Sequence, residues 1–338
     1  MVHRDDYVSA AEDADLKWMK GALEKRFKIK TKLIGPEEAD DKELKVLNRI
    51  VRCTKNGFEY QADLRHAELI VEEMGMKGAK GVDTPGTKEE DSKKDAIEDE
   101  RELPKAESTA FRAIAARANY LAADRPDIQY AVKEICRKMS APRREDWSKL
   151  KRLAKYLVKH PRVVQLYDWQ APQEHLRIYS DSDWAGCRES RKSTSGGAIM
   201  MGRHCLRTWS KTQATIALSS AEAELCALVK ATCEGIGMSS LLKDLKRSCK
   251  VQVYADASAA LGVVFRKGIG KIRHLDTSRL WIQQKELQKA VEFLKVDGVI
   301  NPADLMTKYM PAPTASTHKE TLRTVDREGR AGKATQLR

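Results

Sequence analysis

The sequence lacks several features that would assign a protein to a class at once. Its seven cysteines are an odd number, widely scattered and without a C-x-x-C pair, which argues against a disulfide framework and a zinc site. No run approaches the roughly 18 apolar residues of a membrane span, so we expect no membrane partner. The start has no basic segment followed by an apolar one, so secretion is not indicated. We therefore expect an intracellular protein, cytoplasmic or nuclear, with reduced thiols.

What the sequence does have is charge, unevenly distributed. The 338 residues carry 62 Lys and Arg against 49 Asp and Glu, a net charge of +13, and the length suggests about two compact units. Residues 1–108 have a net charge of −5, residues 109–170 of +8, residues 171–312 of +7 and residues 313–338 of +3. Positive charge therefore begins after the first third of the chain.

The first third reads as α+β material followed by a linker. Residues 13–27 and 64–74 space their apolar side chains like helices, residues 44–52 alternate like a strand, and residues 55–57 (KNG) form a hairpin-turn signal. Residues 86–108 are acidic and poor in apolar side chains, which predicts a disordered linker.

The rest of the chain changes from helices to a mixed α/β pattern. Residues 109–160 are helical almost throughout, and Pro126 and Pro142 divide them into three helices. After Pro172 we predict strands at 175–180, 197–201, 205–209, 251–255 and 291–296, and helices at 217–246, 257–265, 273–288 and 302–309. The predicted segments are 1–85, the linker 86–108, a helical segment 109–171, the α/β domain 172–312 and a disordered basic tail 313–338.

Two predicted strands end in the same pattern. Tyr179 precedes Asp181 by two residues, and Tyr254 precedes Asp256 by two. In neighbouring parallel strands this phase places both carboxylates on one face, at the sheet edge where α/β proteins bind ligands. Two such anions repel each other unless a cation lies between them, and oxygen ligands suit Mg²⁺ or Mn²⁺.

Two further acids stand near the starts of helices. Ser219 or Ser220 can cap the helix that carries Glu222 and Glu224, and spacing alone does not choose between the two glutamates. Downstream, residues 301–304 (NPAD) form a strong helix start, and taken alone the aspartate there is better explained as a complement to the helix dipole.

Together these stretches carry a resemblance. Residues 179–187 (YSDSDWAGC), 193–196 (STSG), 209–211 (WSK), 217–224 (ALSSAEAE) and 303–308 (ADLMTK) closely resemble the ribonuclease H domain of copia-type LTR-retrotransposon polyproteins.

Two upstream stretches extend the resemblance. Residues 111–157, with RPDI at 125–128, look like the segment that connects reverse transcriptase to that domain. Residues 3–6 (HRDD) resemble the paired-aspartate hairpin of the polymerase palm, which would make residues 1–85 a partial palm.

The resemblance implies a fold, an activity and a set of residues. The fold would be a ribonuclease H-like five-stranded mixed sheet with flanking helices, and the activity a two-metal hydrolysis of the RNA strand of RNA/DNA hybrids, within a reverse-transcription polyprotein. The implied metal ligands, for two Mg²⁺ or Mn²⁺ ions, are Asp181, Glu224, Asp256 and Asp304. Glu224 is preferred to Glu222, and Asp183 becomes a neighbour of the site.

The remaining implied residues contact substrate or belong to the polymerase. His274 would have a substrate or proton-transfer role. Candidate phosphate contacts are Arg188, Arg191, Lys192, Lys211 and Arg273, and the candidate polymerase remnant is Asp5 and Asp6.

Two departures from the family keep an alternative open. Residues 257–259 read ASA where the family usually shows Asn-Gln-Ser, and the palm begins only at the paired aspartates, so we expect no DNA synthesis by this chain alone. The main alternative is a decayed or domesticated element that binds nucleic acid without cutting it. A different nuclease or integrase of the same general fold is a second.

Overall fold

The computed structural model describes residues 2–3, 6–88, 101–270, 274–275 and 277–336. The strands are β1 (Val2–His3), β2 (Asp6–Tyr7), β3 (Glu43–Val46), β4 (Arg49–Thr54), β5 (Gly57–Gln61), β6 (Val163–Asp168), β7 (His175–Asp183), β8 (Thr194–Met201), β9 (His204–Thr212), β10 (Lys250–Ala255), β11 (Glu292–Lys295) and β12 (Thr324–Asp326). The α-helices are α1 (Asp13–Glu24), α2 (Leu64–Glu73), α3 (Lys105–Ala122), α4 (Pro126–Cys136), α5 (Arg144–Lys159), α6 (Ser220–Asp244), α7 (Ser258–Val264), α8 (Trp281–Leu287) and α9 (Ala312–Thr321). Short 3₁₀ helices lie at Thr277–Leu280, Gly298–Ile300 and Pro302–Met306.

The first sheet has the order β12-β6-β5-β4-β3, with every neighbouring pair antiparallel. The single strand predicted at 44–52 is wrong, because Leu47 and Asn48 have positive φ angles of 48° and 65° and turn the chain between β3 and β4. The turn predicted at 55–57 is confirmed between β4 and β5.

Helices α3, α4 and α5 confirm the three helices predicted before residue 160. They pack with α2 around one apolar cluster. The side chains of Leu150, Leu153 and Leu157 are fully buried, and Trp147 packs against the cluster. Their spacing on one face of α5 explains why this amphipathic helix needs its neighbours.

The predicted disordered tail is wrong over α9 and β12. β12 pairs antiparallel with β6, itself a strand at the end of a segment predicted to be helical. Leu322 and His318 are buried, and Asp326 pairs with His160 at 2.8 Å and Lys319 at 2.7 Å. A short polar segment can therefore be ordered by partners far away in sequence, which periodicity does not detect.

The second sheet has the order β11-β10-β7-β8-β9, and all five of its strands were predicted. β10 runs parallel to β7 and β11, whereas β8 and β9 are antiparallel to their neighbours, so the sheet is mixed. α6 packs across this sheet, and Leu225 and Leu228 are fully buried there.

Helix α6 also has the length and composition of a membrane span, and 44% of its most apolar window is buried within the fold. Its packing on the sheet accounts for that apolar character, because a core helix has the same composition as a short span.

Candidate metal centre

Three carboxylates converge at the carboxyl ends of two parallel strands. Asp181 lies near the end of β7, Asp256 directly follows β10, and Glu224 lies in the second turn of α6. One oxygen from each lies within 4.8 Å of the other two. The predicted strand phase is confirmed, because Tyr179 pairs with Tyr254 and their rings stack at 5.2 Å.

The two glutamates of α6 point to different partners. Ser219 caps the helix, since its hydroxyl accepts a hydrogen bond from the amide of Glu222 at 3.2 Å. The side chain of Glu222 accepts hydrogen bonds from the amide of Leu218 at 2.8 Å and from Arg279 at 3.0 Å. Glu224 instead accepts one from the amide of Ser182 on β7 at 3.2 Å. The structure therefore brings Glu224, and not Glu222, to the two aspartates.

Asp304 lies beside this trio rather than within it. Asn301 caps its 3₁₀ helix and donates a hydrogen bond to the carbonyl of Ser180 at 3.0 Å, which ties the helix to β7. The Lys308 ammonium is 2.8 Å from Asp304 Oδ2 and 3.8 Å from Asp181 Oδ2. The hydroxyl of the intervening Thr307 donates a hydrogen bond to Asp181 Oδ2.

The close approach of this 3₁₀ helix to β8 requires glycine. A Cβ on Gly196 would lie 2.5 Å from Thr307 Cγ2 and 2.7 Å from Met306 Cβ. This close contact explains the glycine at position 196 of the STSG stretch, since a side chain there would displace Thr307, whose hydroxyl bonds Asp181.

Burial and neighbouring carboxylates raise the pKa of Glu224, Asp256 and Asp304. Burial, then the charges of Asp181 and Asp256, raise the pKa of Glu224 to about 9. Burial and then Asp181 raise the pKa of Asp304 to about 7 and also raise that of Asp256. A cation between them would relieve this repulsion.

The residues present fit a hard divalent ion. All the converging ligands are oxygens, which Mg²⁺ and Mn²⁺ prefer. Glu224 Oε2 and Asp304 Oδ1 are buried and have no hydrogen-bond partner within the described part of the chain. Unsatisfied buried oxygens are costly, so a missing partner is expected there.

The predicted His274 does not lie on the trio. Its Nε2 is 3.2 Å from Glu222 Oε2, and its side chain is 45% exposed. Of the other predictions, Arg273 and Asp5 lie outside the described residues, and Asp6 lies in β2.

The remaining predicted basic residues lie at the end of the sheet where β7 finishes. Arg188, Arg191 and Lys192 belong to the loop between β7 and β8. Lys211 lies on β9 and pairs with Ser195 of β8. Arg188 and Arg191 are exposed and Lys192 is half-buried.

Several contacts that support the centre could not be identified from the sequence. Lys133 of α4 donates to the Thr194 hydroxyl at 2.8 Å, and Arg137 donates to the Ser190 hydroxyl at 3.2 Å. They join residues more than fifty positions apart, without any local signal. The ion pair between Asp304 and Lys308 does have a local signal in the sequence, because a spacing of four residues is typical of helical ion pairs.

Sheet order and strand direction together define a ribonuclease H-like mixed α/β fold. Among solved structures, the chain is similar to a ribonuclease H1 isolated from compost, with 19% identity, a TM-score of 0.30 and coverage of 40% of this chain and 94% of that one. It is also similar to a foamy viral protease-reverse transcriptase solved with an RNA/DNA hybrid, with 11% identity, a TM-score of 0.42 and coverage of 76% and 29%. No protein-family model matches the chain.

The sequence comparisons find relatives among the Pol polyproteins of transposons. The retrovirus-related Pol polyprotein from transposon TNT 1-94 of Nicotiana tabacum is 27% identical over 92% of this chain and 23% of its own length. That from transposon RE2 of Arabidopsis thaliana is 28% identical over 91% and 20%. An uncharacterized mitochondrial protein of Arabidopsis thaliana is 32% identical over 52% and 70%.

The relatives of the chain are retrovirus-related Pol polyproteins from plant transposons, in agreement with the resemblance to copia-type Pol polyproteins. It spans between a fifth and a quarter of the length of the two Pol polyproteins.

Proposed function

We propose that the ribonuclease H-type domain hydrolyses the RNA strand of RNA/DNA hybrids and depends on Mg²⁺ or Mn²⁺. The observation that carries this proposal is the convergence of Asp181, Glu224 and Asp256 within 4.8 Å. Carboxylates that lie this close repel one another, which is costly for folding, and groups with pKa values perturbed in this way cluster at functional sites.

Each acid has a role in this proposal. Asp181, Glu224 and Asp256 would hold one ion, and Asp304 with Asp181 would hold a second. When bound, the ions supply Lewis-acid stabilisation of the charge that develops on the phosphate oxygens. The Ser182 amide and the Thr307 hydroxyl hold Glu224 and Asp181 in place, and burial keeps bulk water from these carboxylates.

Basic residues around the centre would hold the hybrid. Arg188, Arg191, Lys192 and Lys211 lie at the same end of the sheet as the trio, where they can pair with phosphates. Selectivity for a hybrid would come from its groove shape and from contacts to 2′-hydroxyls. We place Arg273 in the same group and give His274 a substrate or proton-transfer role.

The upstream segments would assist this domain. Residues 109–171 would be the connection to a reverse transcriptase palm represented by residues 1–85, and the rest of the Pol polyprotein is the expected partner. Contacts from Lys133 and Arg137 to the β8 strand and the preceding loop support a connection that also positions that loop.

A cleavage assay tests the activity. The full chain is incubated with Mg²⁺ and an RNA/DNA hybrid labelled on the RNA strand, beside Asp181→Asn and Glu224→Gln. We expect metal-dependent cuts by the unmodified chain and a loss of about 10³-fold or more in both variants, because each removes a ligand.

A matched variant and a binding measurement make the result specific. Glu234→Gln changes the same residue type on the same helix, where Glu234 pairs with Arg207 and Lys230, and it should cleave normally. Hybrid binding without cleavage by the unmodified chain would favour the non-cutting alternative. Undiminished cleavage by Glu224→Gln would contradict the proposed centre.

A further inference from the structure

The acidic centre contains a cation of its own. We propose that the Lys308 ammonium occupies the side of the centre next to Asp304, so that a divalent ion binds first to Asp181, Glu224 and Asp256. A second ion enters only when the ammonium leaves. This inference rests on the proposed metal-dependent function and adds an order of binding to it.

The geometry favours an ammonium that bridges two acids. Lys308 lies four residues after Asp304, and its amide approaches the Asp304 carbonyl at 3.3 Å, so the chain itself directs the side chain back over the aspartate. Its nitrogen is 2.8 Å from Asp304 Oδ2 and 3.8 Å from Asp181 Oδ2. The ammonium therefore pairs with both of the aspartates that would hold a second divalent ion.

The trio meets this ammonium only at Asp181, over the longer of the two distances. In the described part of the chain, Lys308 provides both of the ion pairs made by the four acids, and Glu224 and Asp256 have none. The oxygens of Asp181, Glu224 and Asp256 also lie mutually within 4.8 Å, a grouping that does not include Asp304. The two halves of the centre are therefore unequal before any ion binds.

Competition follows from charge. A unit positive charge about 3–4 Å from a carboxylate oxygen interacts with it strongly in a partly buried site, and it also repels an incoming dication. Binding at Asp304 must replace an existing interaction, whereas binding at the trio only relieves repulsion. The first ion should consequently bind much more tightly than the second.

Counting bound Mn²⁺ tests this without measuring cleavage. Free Mn²⁺ is measured by electron paramagnetic resonance during titration of the full chain, without nucleic acid. We expect one tightly bound ion for the unmodified chain and two for Lys308→Met, with the second ion bound at least about ten-fold more tightly than in the unmodified chain. Lys308→Gln serves as a second variant if the methionine variant unfolds at a lower temperature.

Charge-retaining and distant variants are the controls. Lys308→Arg keeps the positive charge, and Lys17→Met removes a lysine of α1 that instead pairs with Asp13, four residues earlier, at 2.5 Å. Both should bind one ion tightly. Equal counts and affinities for the unmodified chain, Lys308→Met and Lys308→Gln would overturn the inference.

Glu224→Gln separates this inference from the function on which it depends. It should lose the first ion. If it binds Mn²⁺ as the unmodified chain does, or if no variant binds any, the proposed metal centre fails whatever the effect of Lys308.

Discussion

The acids beside the first sheet and the acids of the candidate metal centre have different charged partners. Acids around the first sheet and its helices face arginines: Asp127 lies 2.7 Å from Arg125, and Glu43 lies 2.6 Å from Arg52. The four acids of the candidate metal centre, Asp181, Glu224, Asp256 and Asp304, instead lie near one another, and the ion pairs described for these four come from Lys308 alone.

The pKa values follow this difference. Burial raises the pKa of Asp127, but the adjacent Arg125 guanidinium overcomes the effect and holds that pKa below its usual range. Burial also raises the pKa of Glu224, and the neighbouring aspartates raise it further, to about 9. Both carboxyls are thus buried, and the charge of the neighbouring group determines whether the pKa lies below or above its usual range.

This comparison distinguishes the acids that stabilise the fold from those that cost it stability. A buried carboxylate that accepts two hydrogen bonds from an arginine stabilises its surroundings only while the partner remains. A buried carboxylate without such a partner costs stability, and its retention indicates a function. Changes at the two kinds of acid should therefore have opposite effects on the free energy of unfolding.

The largest expected effect is at Arg125. Its guanidinium is 1% exposed, donates twice to Asp127, and donates to the carbonyl of His160 at 3.0 Å. Arg125→Met should lower the free energy of unfolding by about 3–5 kcal/mol, because it leaves a buried charge unpaired. Urea denaturation measures this change.

A double variant distinguishes the charge from the packing. Arg125→Met with Asp127→Leu should recover much of the loss, since neither charge then remains buried. If the double variant is less stable than Arg125→Met, packing rather than the ion pair holds α4 to α5, and the comparison between the sheets is weakened.

A second test asks whether the centre depends on close packing. Gly196→Ala should cost about 1–3 kcal/mol, because its Cβ would overlap Thr307 and Met306, which adjoin Asp304. Denaturation measures the cost, and Mn²⁺ titration should show weaker binding. Gly237→Ala on α6 meets no atom within 4 Å and should not weaken binding. Unchanged stability and affinity in Gly196→Ala would mean that the 3₁₀ helix can shift freely.

Sequence reasoning was most effective where the chemistry is local. The five strands of the second sheet, the phase of Tyr179 and Tyr254, and a serine cap at 219 or 220, which the structure places at Ser219, all follow from short patterns. These patterns repeat over a few residues, so they survive in a single sequence without knowledge of the fold.

It was least effective where a partner lies far away. The choice between Glu222 and Glu224 depends on a β7 amide and on Arg279, and neither is visible in the spacing of α6. The RPDI stretch was recognised, but its role as a buried ion pair depends on burial by α5. Order in residues 312–326 likewise depends on β6, more than 140 residues earlier.

The third prediction is a gain in the free energy of unfolding, whereas the first is a loss. Glu224→Gln should raise the free energy of unfolding by about 1–3 kcal/mol at pH 8 in metal-free buffer, although we expect it to abolish the proposed cleavage. The ordinary pKa of this carboxyl is 4.5, and the folded value is about 9. Between these values the folded chain holds a proton that the unfolded chain has lost, so stability falls as the pH rises.

Denaturation at several pH values checks this prediction. The unmodified chain should lose stability between about pH 4.5 and pH 9, whereas Glu224→Gln should lose less. Added Mn²⁺ should protect the unmodified chain most at the upper end of this range. Equal pH profiles for the two proteins would mean that the repulsion between the carboxylates does not affect folding.

The smallest expected effect is at Arg52, an arginine that pairs with acids but is only partly buried. Arg52 donates to Glu43 at 2.6 Å and lies 3.4 Å from Glu59, but about a third of its side chain is exposed. Arg52→Met should lower the free energy of unfolding by less than about 1 kcal/mol, since solvent screens the pair and Arg327 still faces Glu59 at 2.6 Å. Urea denaturation beside Arg125→Met measures the ratio between the two losses. A loss at Arg52 as large as that at Arg125 would show that pairing, independent of burial, determines how strongly the first sheet depends on its arginines.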